Sequence, residues 1–162
     1  MDEWFPLVDP SGKVIGKATR SECHSGTKSL HPVIHLHIFN TKGELLLQKR
    51  SSNKDIQPGK WDTSVGGHVD LGETVEEALV REAGEELGIR GFVPEFIRSY
   101  VFESEIEKEL VYSYKTIYEG ELCFDPIEID EIAFWPVERI RQNIGQTVFT
   151  PNFEDEFRFL FR

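Results

Sequence analysis

Cysteine is scarce. The chain has only Cys23 and Cys123, far apart and outside any CxxC pattern, so nothing suggests a disulfide framework. Two reduced thiols in a cytoplasmic protein are the expectation. Long hydrophobic runs are also missing, which excludes a membrane-spanning segment built from one apolar stretch. Met1-Asp2-Glu3-Trp4 carries neither a basic nor an apolar leader region, so no secretory signal is expected. Basic residues are in short supply: 18 Lys and Arg stand against 29 Asp and Glu, a formal net charge of −11. Such a chain repels polyanions, so a nucleic-acid polymer is not the expected partner. A local cluster of acids can still hold cations, and those cations can hold phosphate. Internal repeats and low-complexity tracts are absent. What is present is apolar content of 39% over 162 residues, enough to bury a core and to exclude wholesale disorder. The length fits a single domain over 1–162.

Periodicity and turn residues predict strands over 4–8 and 14–17, flanking the turn Asp9-Pro10-Ser11-Gly12. Residues 18–31 read as polar and irregular. A strand follows over 33–39, with Ile34, Leu36 and Ile38 on one face and His35 and His37 on the other. Its hairpin partner is 44–50. A loop covers 55–60, and a short strand over 61–65 ends in a Gly66-Gly67 turn. The clearest helix is 74–87, acidic at its start, striped by Val75, Ala78, Leu79 and Ala83, and stopped by Gly88. Strands are predicted over 92–102, 110–118 and 132–135, and helices near 137–143 and 154–161. The aromatic tail of Phe153, Phe157, Phe159 and Phe161 is expected to pack on the body. Strands interspersed with few helices predict an α/β (α+β) fold, a mixed sheet covered by helices.

The stretch with chemistry in it runs from Gly67 to Ile89. Glu82, Glu85 and Glu86 fall at i, i+3 and i+4, which puts three carboxylates on one helical face. Like charges so placed destabilise a helix, and a hard divalent cation reverses that penalty. Arg81 can pair with a neighbouring acid such as Glu73. A glycine at this point lets backbone approach a ligand. Gly67, Glu73, Arg81, Glu82, Glu85, Glu86, Gly88 and Ile89 together resemble the Nudix box (67–89), with Ala83 a mild departure at a hydrophobic place. The resemblance implies a Nudix fold, a mixed sheet sandwiched between helices (α/β/α). It also implies a hydrolase that cleaves diphosphate linkages by water attack on phosphorus, using Mg²⁺ or Mn²⁺. Glu82, Glu85, Glu86 and the Gly67 carbonyl are the implied metal set. A carboxylate of the box, or one from a later strand or loop such as 128–131, is the implied base.

From about residue 7 to 152 the chain is also similar to the isopentenyl-diphosphate isomerase branch of the superfamily. His24, His31, His68, Glu107 and Glu109 stand where those enzymes hold a second divalent metal. Arg20, Arg50 and Lys54 stand where they grip the substrate diphosphate. Gly66, however, takes the place of the isomerase's catalytic cysteine, and Asn152 follows Thr150-Pro151 where an aromatic is usual. Glu82 replaces a phosphate-binding arginine. These departures point to hydrolysis of a small organic diphosphate, such as a nucleoside diphosphate derivative. The alternatives are isomerase-type chemistry or a non-catalytic ligand-binding domain. His35 and His37 have no counterpart in the isomerase metal set, and they read as pocket-lining or ordinary strand residues. Trp61 reads as a core anchor. Oligomeric state is not readable.

Overall fold

The structure is a computed structural model that describes residues 3–54 and 56–161. Met1 and Asp2, on which the leader reading partly rests, and Asp55 of the expected loop lie outside the described residues. In chain order the elements are β1 (Trp4–Val8), β2 (Val14–Thr19), α1 (Arg20–Cys23), β3 (Leu30–Phe39), β4 (Leu45–Arg50), β5 (Trp61–Asp62) and β6 (Val65–His68). Then come α2 (Val75–Leu87), β7 (Glu95–Glu103), β8 (Lys108–Ile117), β9 (Ile129–Trp135), α3 (Val137–Asn143) and α4 (Pro151–Leu160).

β3 is the central strand. It pairs in parallel with β8 along its whole length, from Leu30↔Lys108 to Phe39↔Ile117. It meets β4 only at Phe39↔Leu45, and β4 then runs off to pair with β9 and β5. The edge that β4 vacates is taken by β6, antiparallel from Val33↔His68 to Leu36↔Val65. The sheet therefore forks, and β6 with its two glycines lies in the fork.

Alternation along β3 gives each face its own core. Ile34, Leu36 and Ile38 are fully buried against Ala78, Leu79, Ala83 and Leu87 of α2. On the other side Leu45 and Leu47 pack with Trp135, Phe149, Phe153 and Phe157 beneath α4. The result is a mixed sheet between helices. α2 starts with a reciprocal capping box, Thr74 with Glu77, and ends on Gly88 in the left-handed region at φ 67°. The mild departure Ala83 is fully buried. Its small side chain suits the close approach of helix to sheet.

Several boundaries differ from expectation for identifiable reasons. Gly66-Gly67 is not a turn but the middle of β6, paired with His35 and Ile34. The single strand expected over 61–65 is two short strands serving different partners, β4 and β3. β3 begins at Leu30 rather than 33, carried through Pro32 by the parallel ladder with β8. Even-numbered β3 nitrogens face the β6 side, as Ile38 N–H does in donating to Ser64 Oγ. Pro32 lies just past the last β6 pair, where no ladder bond is lost. The stretch 18–31 contains the short α1, capped by the Thr19 side chain accepting from Glu22 N–H. β9 starts three residues earlier than expected because its register with β4 continues to Ile129↔Arg50. α4 starts at Pro151, with Thr150 as cap and proline in the first turn.

Candidate active site and second metal-ligating cluster

The capping box fixes where α2 starts, and so which residues face β6. Arg81 is the hub. Its Nε donates to Glu73 Oε2 at 2.8 Å and Nη2 to Glu73 Oε1 at 3.0 Å, a bidentate pair. Nη1 reaches Glu82 Oε1 at 2.8 Å and Glu85 Oε2 at 3.3 Å, and Nη2 also donates to the His68 carbonyl at 2.9 Å. The bond to Glu73 foremost, and then Glu82 and the charge of Asp70, raise the Arg81 pKa against the effect of burial. For Glu73, burial acts upward, but bonding to Arg81 prevails and holds its carboxyl below the usual range.

Glu82 lies directly over Gly67: a Cβ on that glycine would stand 2.2 Å from the Glu82 carboxyl carbon. Glu86 Oε1 accepts from Gln48 Nε2 at 2.9 Å, while Oε2 is buried with no hydrogen-bond partner. Burial pushes Glu82 up against the pull of Arg81, and burial together with the neighbouring Glu82 pushes Glu86 well above the carboxylate range. Two adjacent carboxyls, one with a buried unsatisfied oxygen beside exposed backbone, fit a hard cation. Glu85 sits at the rim, its side chain 61% exposed.

The second cluster gathers all five expected residues. His24 Nε2 is 3.2 Å from His68 Nε2 and 3.1 Å from Glu107 Oε2. Glu109 Oε2 lies 3.9 Å from both His31 Nε2 and His68 Nε2. The ligand atoms of His24, His31, His68 and Glu107 all lie within 4.8 Å of one another. His31 Nδ1 faces the Ser29 carbonyl at 2.9 Å, which assigns the proton to Nδ1 and leaves the buried Nε2 lone pair without a partner. Burial lowers the pKa of His31 and, more strongly, of His68, which keeps their lone pairs available. Burial, followed by the Glu107 charge, lifts Glu109 to about 7. Two imidazole nitrogens facing each other at 3.2 Å need a proton or a cation between them. The orphaned His31 nitrogen and nearby carboxylates make a cation the better fit. Phe5 of β1 stacks on His68 with centroids 4.5 Å apart and fixes the ring.

The basic residues are not gathered into a comparable set. Arg20 pairs with Glu3 at 3.0 Å, Lys54 pairs with Glu128, and Arg50 donates to the Ile56 carbonyl and lies 3.6 Å from Asp62. Of the three, Arg50 alone is linked through Asp62 to the fork of the sheet. Trp61 packs edge-on to Trp135 in the core, as expected.

One cluster was not foreseen. Glu156 of α4 is fully buried and accepts from His35 Nδ1 at 2.5 Å, His37 Nε2 at 3.0 Å, Tyr100 Oη at 3.0 Å and Ser113 Oγ. The signal was a glutamate three residues after Phe153 and one before Phe157, on the stripe that the apolar periodicity marks as buried. Gln48 was likewise unmarked, being one polar residue on the core face of β4.

The NUDIX domain model matches residues 29–153, and the chain belongs to this family. Within it the relatives are of two kinds. An uncharacterized Nudix hydrolase of Yersinia pestis is 31% identical over 93% of this chain and 81% of its own length. An isopentenyl-diphosphate Delta-isomerase of Photorhabdus laumondii is 33% identical over 82% of this chain and 75% of its own. The chain thus falls in the isomerase-like branch. A Deinococcus radiodurans crystal structure superposes with a TM-score of 0.85 at 25% identity, covering 99% of this chain and all of the other. A MutT protein of Methanosarcina mazei gives 0.70 at 29% identity, over 82% of this chain and 94% of that one.

Proposed function

We propose that this protein is a divalent-cation-dependent hydrolase that cleaves the diphosphate linkage of a small organic diphosphate, a nucleoside diphosphate derivative being the leading class. The observation that carries the reading is the Glu82–Glu86 pair over Gly67, with one buried carboxylate oxygen lacking any donor. Mg²⁺ or Mn²⁺ held by Glu82, Glu86 and the Gly67 carbonyl would neutralise phosphoryl oxygens and acidify a water. Arg81 holds Glu82 by one oxygen, and Glu73 in turn holds Arg81, so the liganding carboxylate is aimed before substrate arrives. Glu85, exposed and tied only at 3.3 Å, is free to turn toward the same ion or the attacking water.

The test is phosphate release from a panel of nucleoside diphosphate derivatives and prenyl diphosphates with Mg²⁺, then Mn²⁺. Groups that only hold a metal's ligands in place are each worth about 10–100-fold, so removing a ligand itself in Glu86→Gln is expected to cost more than about a hundredfold. Cation-dependent turnover that survives Glu86→Gln overturns the assignment.

A second reading, prenyl-diphosphate isomerisation, is supported by the His24, His31, His68, Glu107 and Glu109 cluster and by the isomerase among the relatives. It lacks a thiol at Gly66, where the resemblance calls for a proton donor. Product analysis of the prenyl diphosphate arms separates the two readings.

A further inference from the structure

The Glu156 cluster lies on the sheet face opposite α2, and stability alone does not explain it. Replacing a buried charged network by apolar residues is commonly neutral or stabilising. Here four donors from β3, β7 and β8 converge on one carboxylate of a helix otherwise docked by phenylalanines. Both histidines keep one ring nitrogen without a partner. That of His37, Nδ1, is fully buried. The Nδ1 of His35 is clamped by Glu156, but its Nε2, without a partner among the described residues, belongs to a side chain that still reaches solvent. Its Cδ2–Nε2 edge faces Gly66: a Cβ there would lie 3.4 Å from Cδ2 and 3.8 Å from Nε2. Gly66 is exposed, so the imidazole edge opens onto a floor with no side chain over it.

The same face carries the other cluster. His31 and His35 are four residues apart on β3, ~13 Å along the strand. His68 lies opposite Val33, between them. Asp62 and Glu109 also act on His35, so a bare anion would meet two carboxylates there. An anion chelated to a divalent cation has less charge to be repelled and brings a cation that those carboxylates can face.

We propose that His35, clamped by Glu156, is an oxyanion-binding donor whose Nε2–H receives a phosphoryl oxygen of a metal-chelated diphosphate lying over Gly66. Burial opposes a charge on His35, but the Glu156 carboxylate prevails and lifts its pKa to about 9, which keeps Nε2 protonated at neutral pH. The inference refines the diphosphate specificity proposed above, and it uses residues on the opposite face from the box.

The test uses the full-length Glu86→Gln protein, which weakens cation binding at the box, and the His35 resonance reports the proposed site separately from it. Magnesium pyrophosphate is titrated into ¹⁵N-histidine-labelled protein, followed by NMR and by calorimetry. The His35 Nε2 resonance is expected to shift saturably. Adding His35→Gln, whose single amide can face Glu156 but leaves no donor over Gly66, is expected to weaken binding at least about tenfold, the scale of one charge-assisted bond. Pyrophosphate without Mg²⁺ is expected not to bind. Should His35→Gln not fold, Gly66→Ala, whose Cβ covers the floor in ordinary contact with His35 Cδ2 at 3.4 Å and leaves His35 and Glu156 in place, is expected to give the same loss. A His35 resonance unmoved at saturation, an affinity within twofold of the parent in a folded variant, or no pyrophosphate binding at all overturns the inference. None of these touches the hydrolase reading, which fails separately if the wild-type protein releases no phosphate.

Discussion

Gly67 shows how a single hydrogen atom in place of a methyl group sets a site. The nearest heavy atoms to a Cβ at this position all belong to the Glu82 carboxylate end. That end is flexible, so Gly67→Ala is expected to displace the carboxylate rather than the backbone. Unfolding temperature changes little, while Mn²⁺ affinity, read by calorimetry or electron paramagnetic resonance, falls with turnover. Affinity equal to wild type would separate Glu82 from the ion. Glu85 and Glu86, adjacent in sequence, are expected to differ. Glu85→Gln removes an exposed group bonded at 3.3 Å, and Glu86→Gln removes the buried one, so the second variant loses far more activity. The sequence spacing marks the three glutamates alike, because i, i+3, i+4 gives a face and not a depth. Depth came from β6 and from Gln48 of β4, neither of which the helix sequence contains. The histidines split in the same way. His24, His31 and His68 were identifiable by resemblance, but alternation alone could not tell that His35 and His37 meet a glutamate from the far end of the chain.

At the scale of elements, α2 and α4 carry opposite faces of the sheet and stand on different supports. α2 was legible almost to the residue, since cap, stripe and terminal glycine agree. Thr74→Ala removes one half of a capping box and is expected to cost about 1 kcal/mol in a denaturant titration. α4 was legible in its aromatic stripe but not in its first turn, where Thr150-Pro151 supplies the cap and the first helical residue. Phe153 is fully buried between Phe149 and Phe157. Phe153→Ala is expected to cost about 3–5 kcal/mol, the range for emptying an aromatic site in a core. A loss below 1 kcal/mol would mean that α4 does not hold this face. The forked pairing of β3 was not legible. β4 reads as a hairpin partner from its turn, and the hairpin in fact holds for one residue pair before the strands part. Turn chemistry fixes where two strands meet and says nothing of how far they stay together. Long-range competition from β9 and β6 decides that.

For the whole molecule, charge, protons and cations are one balance. Burial raises Glu86, and lifts Glu109 to about 7, so in the cation-free protein both bind protons more tightly folded than unfolded. Stability from a raised carboxyl is present at low pH and is lost as pH rises from 4.5 through the folded value. His35, lifted against burial by Glu156 to about 9, acts in the same direction. Its contribution is complete below 6.5 and is lost as pH rises through 9. On the acid side, the Glu156 carboxyl is held low despite its burial, by His35 and His37, and its contribution is lost as pH falls below 4.5. Burial lowers His31 and His68, whose contribution disappears as pH falls below 6.5. The cation-free protein is therefore expected to melt highest between about pH 5 and 7 and to lose stability by pH 9. A bound cation competes with protons at the raised carboxyls and offsets part of the net charge of −11. The rise in melting temperature caused by a fixed millimolar concentration of Mg²⁺ is therefore expected to grow from pH 5.5 to pH 8.5. Differential scanning calorimetry with and without the ion measures both curves. A cation-free optimum at pH 9, or a gain from Mg²⁺ that does not change with pH, would mean that these buried carboxyls are not where the ion is held.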